Sequence, residues 1–179
     1  MTRCDSVKGH RRSIRLKNYD YSSSGAYFVT LCTLTRDCYF TEFVQLYEIV
    51  ENLWLDLPHR YEDLSLDEYM IMPNHFHGVI VTHDSDHEPP FSSKPALGNI
   101  IGSFKSLCVT SWLKTIKSQG IKAGGKFWQD NYFEHIIRNE LELDRIREYI
   151  QNNPLEWELD PENRANLGKT RPVAEKWMV

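Results

Sequence analysis

The chain has 179 residues, 41% of them hydrophobic and 26% charged, with a formal net charge of -4; these are the values of one globular domain with its own core, not of a disordered or collagen-like chain. No stretch approaches the roughly 18 apolar residues of a membrane span, and the polar start lacks the apolar centre of a secretion signal, so the expectation is a cytoplasmic protein without a membrane partner. Cys4, Cys32, Cys38 and Cys108 show no CxxC spacing and read as free thiols.

Residues 1–20 read as a basic arm: up to Lys17 it holds Arg3, Lys8, Arg11, Arg12, Arg15 and Lys17 against the single Asp5. "YSSSG" is a turn, and "AYFVTLCTLT" is β-branched and aromatic enough for a strand. Thr41 can cap a helix through Tyr61, because Phe43, Leu46, Tyr47, Val50, Leu53 and Trp54 recur at helical spacing. "LDEYMIM" is a second strand, Pro73 and Asn74 make a tight turn, and "HFHGVIVT" returns as the antiparallel partner. A polar loop over 83–96 leads to a helix over 97–118 with Ile100, Ile101, Phe104, Leu107, Cys108 and Trp112 on its buried side. After Gly120, Gly124 and Gly125, "KFWQDNYFEHII" is extended, and "RNELELDRIREYIQNN" is a helix that starts at an Asn139/Glu142 capping box and stops at Pro154.

The order strand, helix, strand, strand, helix, strand, helix predicts an α+β fold: a ferredoxin-like antiparallel sheet with helices packed on one face, plus an additional C-terminal helix. The working domain is expected over 21–157, followed by a polar tail over 158–179. Between Pro89 and Gln129 stand Lys94, Lys105, Lys114, Lys117, Lys122 and Lys126 without one acid. Two basic stretches on an acidic chain point to a specific anionic partner, although solvated lysines on a helix face account for half of them as readily.

"EYMIMPNHFHGVIV", residues 68–81, sets His75 and His77 one residue apart. In a strand they share a face while Phe76 points to the other. On the last helix Tyr149 and Asn153 lie four apart, hence on one side, and Gln151 on another. If that side meets the histidines, the site holds two imidazoles, an amide oxygen and a phenol. A divalent cation on His75, His77 and Asn153 keeps open positions and acts as a Lewis acid on phosphate, with Tyr149 beside it as a covalent nucleophile. Plainer readings stand beside this one: a structural histidine pair, a tyrosine at the edge of the core next to Leu143, Ile146 and Ile150, and an ordinary helix-ending Asn-Pro.

"RLKNYDYSSSGAYFVTLCT", "MPNHFHGVI" and "FWQDNYFEHIIRNELELDRIREYIQNNPLEW", in this order over about residues 11–157, resemble the REP-associated tyrosine transposases, a branch of the IS200/IS605-like Y1 transposases within the HUH endonucleases. The resemblance implies His75 and His77 as metal ligands, Phe76 as the large apolar residue between them, Tyr149 as nucleophile, and Asn153 where IS200-type enzymes carry glutamine, with Gln151 as the competing ligand. It implies Mg2+ or Mn2+ as the ion, although two imidazoles suit manganese or zinc at least as well as magnesium. It also implies cleavage and joining of single-stranded DNA beside a hairpin through a 5′-phosphotyrosine, by a monomer or a homodimer.

The alternatives are a domesticated protein that grips hairpin DNA without cutting and a nickase of the replication-initiator or relaxase kind. Arg11, Arg12, Arg15 and Lys105 are then the expected phosphate contacts. Trp128 and Tyr132 are candidates for base stacking, with core packing the better assignment for Trp128. His135 is read as structural or as support for the site.

Overall fold

The computed structural model describes residues 19–84, 95–160 and 162–166; Arg11, Arg12 and Arg15 of the basic arm lie outside the described residues. Strands β1 (Gly25–Cys32), β2 (Leu64–Ile71), β3 (His75–Thr82) and β4 (Phe133–Ile137) form one antiparallel sheet in the order β2-β3-β1-β4. This is the ferredoxin-like arrangement expected from the order of elements. Pro73 and Asn74 close the β2–β3 turn, across which the Met72 N–H donates to the His75 carbonyl at 2.8 Å. The extended run expected over 126–137 is shorter as a strand, and its first part joins the sheet only through a bridge from Trp128 to Thr33.

Among the described residues five helices cover the sheet: α1 (Tyr39–Glu42), α2 (Val44–Leu55), α3 (Leu57–Arg60), α4 (Leu97–Gln119) and α5 (Glu140–Asn152). The single helix expected from Thr41 to Tyr61 is therefore three. Phe43 interrupts it with extended backbone (φ -124°, ψ 94°), its ring 5.2 Å from that of Trp112, and Thr41 bonds the Cys38 carbonyl instead of capping. Pro58, in the first turn of α3, has no N–H with which to continue α2. Among the described residues no helix is long and apolar enough to cross a membrane.

The pleat divides the core in two. On one face Tyr27, Val29, Leu31, Phe76 and Ile80 pack against Leu46, Val50 and Trp54 of α2 and Ile101, Phe104 and Trp112 of α4. Burying each such side chain contributes about 1.5–3 kcal/mol. Gly78 lets Trp54 settle on β3, since a Cβ there would stand 2.4 Å from the indole. On the other face Phe28, Val79 and Ile137 meet Leu143, Ile146 and Ile150 of α5, the additional C-terminal helix.

Polar contacts at both ends of α5 hold it there. Asn139 Oδ1 caps the helix by accepting the Glu142 N–H at 2.9 Å, and the Glu142 carboxylate accepts the Arg138 N–H at 2.7 Å. Arg147 grips both oxygens of Asp67 at 2.7 and 2.8 Å, where the pairing of β2 with β3 is irregular between Leu66 and Tyr69. The chain then returns over the sheet through two 3-10 turns, Trp157–Leu159 and Arg164–Asn166.

Candidate active site

Strand β3 delivers both imidazoles into the space under α5, where His75 is 0% and His77 2% exposed. Asn74 spends its amide N–H groups on the carbonyls of Arg36 and Glu162, at 3.0 and 2.8 Å, so its oxygen faces His75 Nδ1 at 2.9 Å. That contact holds the His75 proton on Nδ1 and leaves Nε2 a lone pair. His77 Nδ1 meets the Thr30 hydroxyl at 2.9 Å, from the residue paired with it across β1, and a hydroxyl serves either ring tautomer.

The two Nε2 atoms face one another at 2.9 Å. Either a proton on His77 or a cation held by both rings fills that gap. Two ligands about 2.1 Å from one ion and at right angles stand about 3.0 Å apart, so the spacing suits a shared cation. Burial, the His77 ring and the Arg36 guanidinium push the His75 pKa well below its ordinary value, and burial lowers that of His77 to about 3. Both rings are neutral at physiological pH, the form in which histidine binds metal.

Two oxygen donors complete the set. Asn153, 4% exposed, lies against His75, and among the described residues no hydrogen bond reaches its buried Oδ1. Although it precedes Pro154, it keeps right-handed helical backbone (φ -54°, ψ -40°), so it projects from the same side of α5 as Tyr149. Asp160, also 4% exposed, carries Oδ2 to 3.6 Å from His75 Nε2 while Oδ1 accepts the Glu162 N–H at 2.6 Å. Ligand atoms of His75, His77 and Asp160 all lie within 4.8 Å of one another. One carboxylate with three neutral donors leaves a divalent ion net positive, and the C-terminal end of α5 adds partial negative charge beside it. The residues present fit a divalent cation.

Tyr149 stands at the rim, half-buried, its ring centroid 5.3 Å from His77 and 6.1 Å from Phe28, edge-on to both. Of the two amides that compete for the third ligand position, Asn153 is the one beside the histidines; Gln151 is exposed and donates to the Glu68 carboxylate at the edge strand. His135 bonds Glu142 at 2.8 Å and so ties β4 to the start of α5 rather than to the imidazole pair. Lys105 Nζ donates to the carbonyls of Gln129 and Asp130 at 2.6 and 3.0 Å, and burial lowers its pKa. Trp128 is buried against Phe127 and Phe40, the core assignment.

Sequence reasoning missed Asp160, Asn74 and Thr30. Asn74 adjoins His75 and is visible in hindsight as the polar residue of an otherwise apolar turn. Asp160 sits in the stretch read as a polar tail, and no spacing relates it to the histidines.

The sequence matches the family described as "Transposase IS200 like" over residues 22–153. An uncharacterized protein of Haemophilus influenzae (strain ATCC 51907 / DSM 11121 / KW20 / Rd) is 38% identical over 171 residues, which cover 84% of this chain and 92% of that one. Among solved structures, the REP-associated tyrosine transposase bound to a REP hairpin shares the fold with a TM-score of 0.55 at 17% identity, over 80% of this chain and 73% of that one. The family match spans most of the chain, including both imidazoles and the tyrosine helix, and the chain belongs to the IS200-like transposase family.

Proposed function

We propose that the chain is a metal-dependent single-stranded DNA endonuclease and strand transferase, acting at hairpin DNA of the REP kind through a 5′-phosphotyrosine. One observation carries the reading: within a single chain, ligand atoms of His75, His77 and Asp160 lie within 4.8 Å of one another, with Asn153 against His75 and the Tyr149 ring 5.3 Å from His77. A divalent cation, Mg2+ or Mn2+, bound by those four residues supplies Lewis-acid stabilisation of charge on a phosphoryl oxygen.

The chain's own part is positional and nucleophilic. Asn74 and Thr30 orient the imidazoles, and Phe28 and His77 hold the Tyr149 ring edge-on. The Tyr149 oxygen, after losing its proton, forms a bond to phosphorus; the bond from phosphorus to the 3′ oxygen breaks, and that oxygen leaves with the electron pair and takes a proton. The products are a 5′-phosphotyrosine and a free 3′-hydroxyl. The phosphodiester energy stays in the covalent link, so attack by a 3′-hydroxyl reverses the step without ATP.

Arg11, Arg12 and Arg15 contact phosphates along the strand. Lys105, with two N–H groups on Gln129 and Asp130, keeps a third for a phosphate. The similarity to a hairpin-bound transposase supports hairpin DNA as the partner.

The test is a denaturing gel of the protein incubated with single-stranded DNA carrying hairpins from its own genome and Mn2+ or Mg2+. A covalent protein–DNA band lost in EDTA and in Tyr149→Phe is the expected result. Tight binding of every hairpin with no covalent band would replace this reading with a protein that grips hairpins without cutting.

A further inference from the structure

The carboxylate that completes the donor set comes from a segment with little regular structure to hold it. Residues 157–160 and 162–166 are fastened to the body by the Arg164–Asp37 ion pair at 2.7 Å and by Glu162. Its backbone carbonyl accepts an Asn74 amide N–H at 2.8 Å, its backbone N–H donates to Asp160 Oδ1 at 2.6 Å, and its carboxylate meets the Arg36 guanidinium at 2.9 Å. The Cys32 thiol donates to that same carboxylate at 3.1 Å. Arg36 itself has φ 56°, the left-handed region in which glycine is the favoured residue. An arginine at such a backbone position is explained by what its side chain reaches, and the side chain reaches Glu162.

Resting on the metal-site reading above, we propose that Arg36 is a positioning residue for the metal. By clamping Glu162 it holds Asp160 at His75, and it thereby raises the cation affinity of a site it does not itself ligate. Two physical effects of Arg36 oppose each other here. Its positive charge repels a cation, so charge alone makes its removal tighten metal binding. Its clamp preorganises a ligand, so preorganisation makes its removal weaken binding. The sign of the change separates the two.

The experiment uses the full chain and Mn2+ alone, with affinity read by calorimetry and by the Mn2+ electron paramagnetic resonance signal. The chains compared are wild type, Arg36→Gly, Arg36→Asn, Arg36→Lys and His77→Ala, each also melted in EDTA. Glycine suits the backbone at position 36, so Arg36→Gly melts with the wild type, yet it binds Mn2+ about tenfold more weakly, the usual scale for a residue that orients a ligand. Arg36→Lys, which keeps an ion pair with Glu162, recovers most of that loss. Arg36→Asn, a residue also tolerated in the left-handed region, removes the same charge and the same clamp and weakens binding likewise, which keeps the test decisive if Arg36→Gly fails to fold. Unchanged or tighter binding in Arg36→Gly or Arg36→Asn, with His77→Ala still weak, overturns the clamp and leaves the metal site standing. Wild-type affinity in His77→Ala overturns the metal site itself.

Discussion

The two faces of the sheet are built from alternate residues of the same strands, yet at nearly equal depth the α5 face carries buried imidazoles beside its apolar cluster. Facing α2 and α4, Val29, Phe76 and Ile80 are 0% exposed and wholly engaged in apolar packing. Facing α5, Thr30, His75 and His77 are buried almost as completely but carry polar atoms. An unsatisfied buried polar group costs about 1–3 kcal/mol, so this face is tolerable only with partners, and Asn74, Thr30 and the opposed Nε2 atoms provide them. Depth of burial therefore does not separate core from site. The separation lies in where donor atoms converge.

The sharpest contrast is between neighbours in β3. His77→Ala and Tyr149→Phe should each lower covalent adduct formation on hairpin DNA by on the order of 10³-fold or more, as loss of a central ligand or nucleophile does, while both proteins still fold. A chemical-denaturation curve for His77→Ala in EDTA that shows a loss as large as a core mutant's would erase the distinction between the faces. Phe76→Ala, one residue away and on the other face, should cost about 3–5 kcal/mol of stability in the same assay, because it vacates the space between Trp54, Tyr69 and Phe104.

A smaller loss is expected at Gly78→Ala, about 1–3 kcal/mol. A Cβ there meets Trp54 at 2.4 Å and Phe76 at 2.8 Å, so the two rings must shift. A wild-type melting curve for this variant would mean that α2 is not seated on β3 as described.

The smallest effect tests how α5 is held. Asp67→Asn should cost roughly 1 kcal/mol, since its bidentate partner Arg147 is partly solvent-exposed. The hydrogen bond from Arg147 is the largest cause of the lowered Asp67 pKa, against an ordinary value of 3.8. A carboxylate with a lowered folded pKa contributes its stability above the unfolded value and loses it as pH falls through the folded one. The deficit of Asp67→Asn should thus be full near neutrality and vanish below pH 3.8, as followed by urea denaturation across pH. A deficit that stays constant into strong acid would show that the ion pair is not its origin.

The legible parts of this molecule were those with local periodicity. The alternation of "HFHGVIV" set His75 and His77 on one face, the four-residue step set Tyr149 and Asn153 on one side of α5, and the order of elements led to the sheet topology. The capping box at Asn139 was readable because its partners lie three residues apart. Phe43 was misjudged: it fits the helical apolar pattern, but its contact with Trp112, far along the chain, pulls the backbone out of the helix. Asp160 was illegible for the same kind of reason. Its distance to His75 is set by Glu162 and Arg36, and an arginine at φ 56° leaves no mark in a sequence that glycine or asparagine would have left.

The most direct test of the central claim, that α5 brings Tyr149 to the imidazole pair for phosphoryl transfer, is to map the covalent product. Protein incubated with hairpin-bearing single-stranded DNA and Mn2+ is digested with nuclease and trypsin, and peptides are read by mass spectrometry. The account predicts a nucleotide mass on the peptide of residues 148–164, fragmenting to Tyr149. A nucleotide on another tyrosine, or DNA cut with no covalent peptide at all, would contradict it.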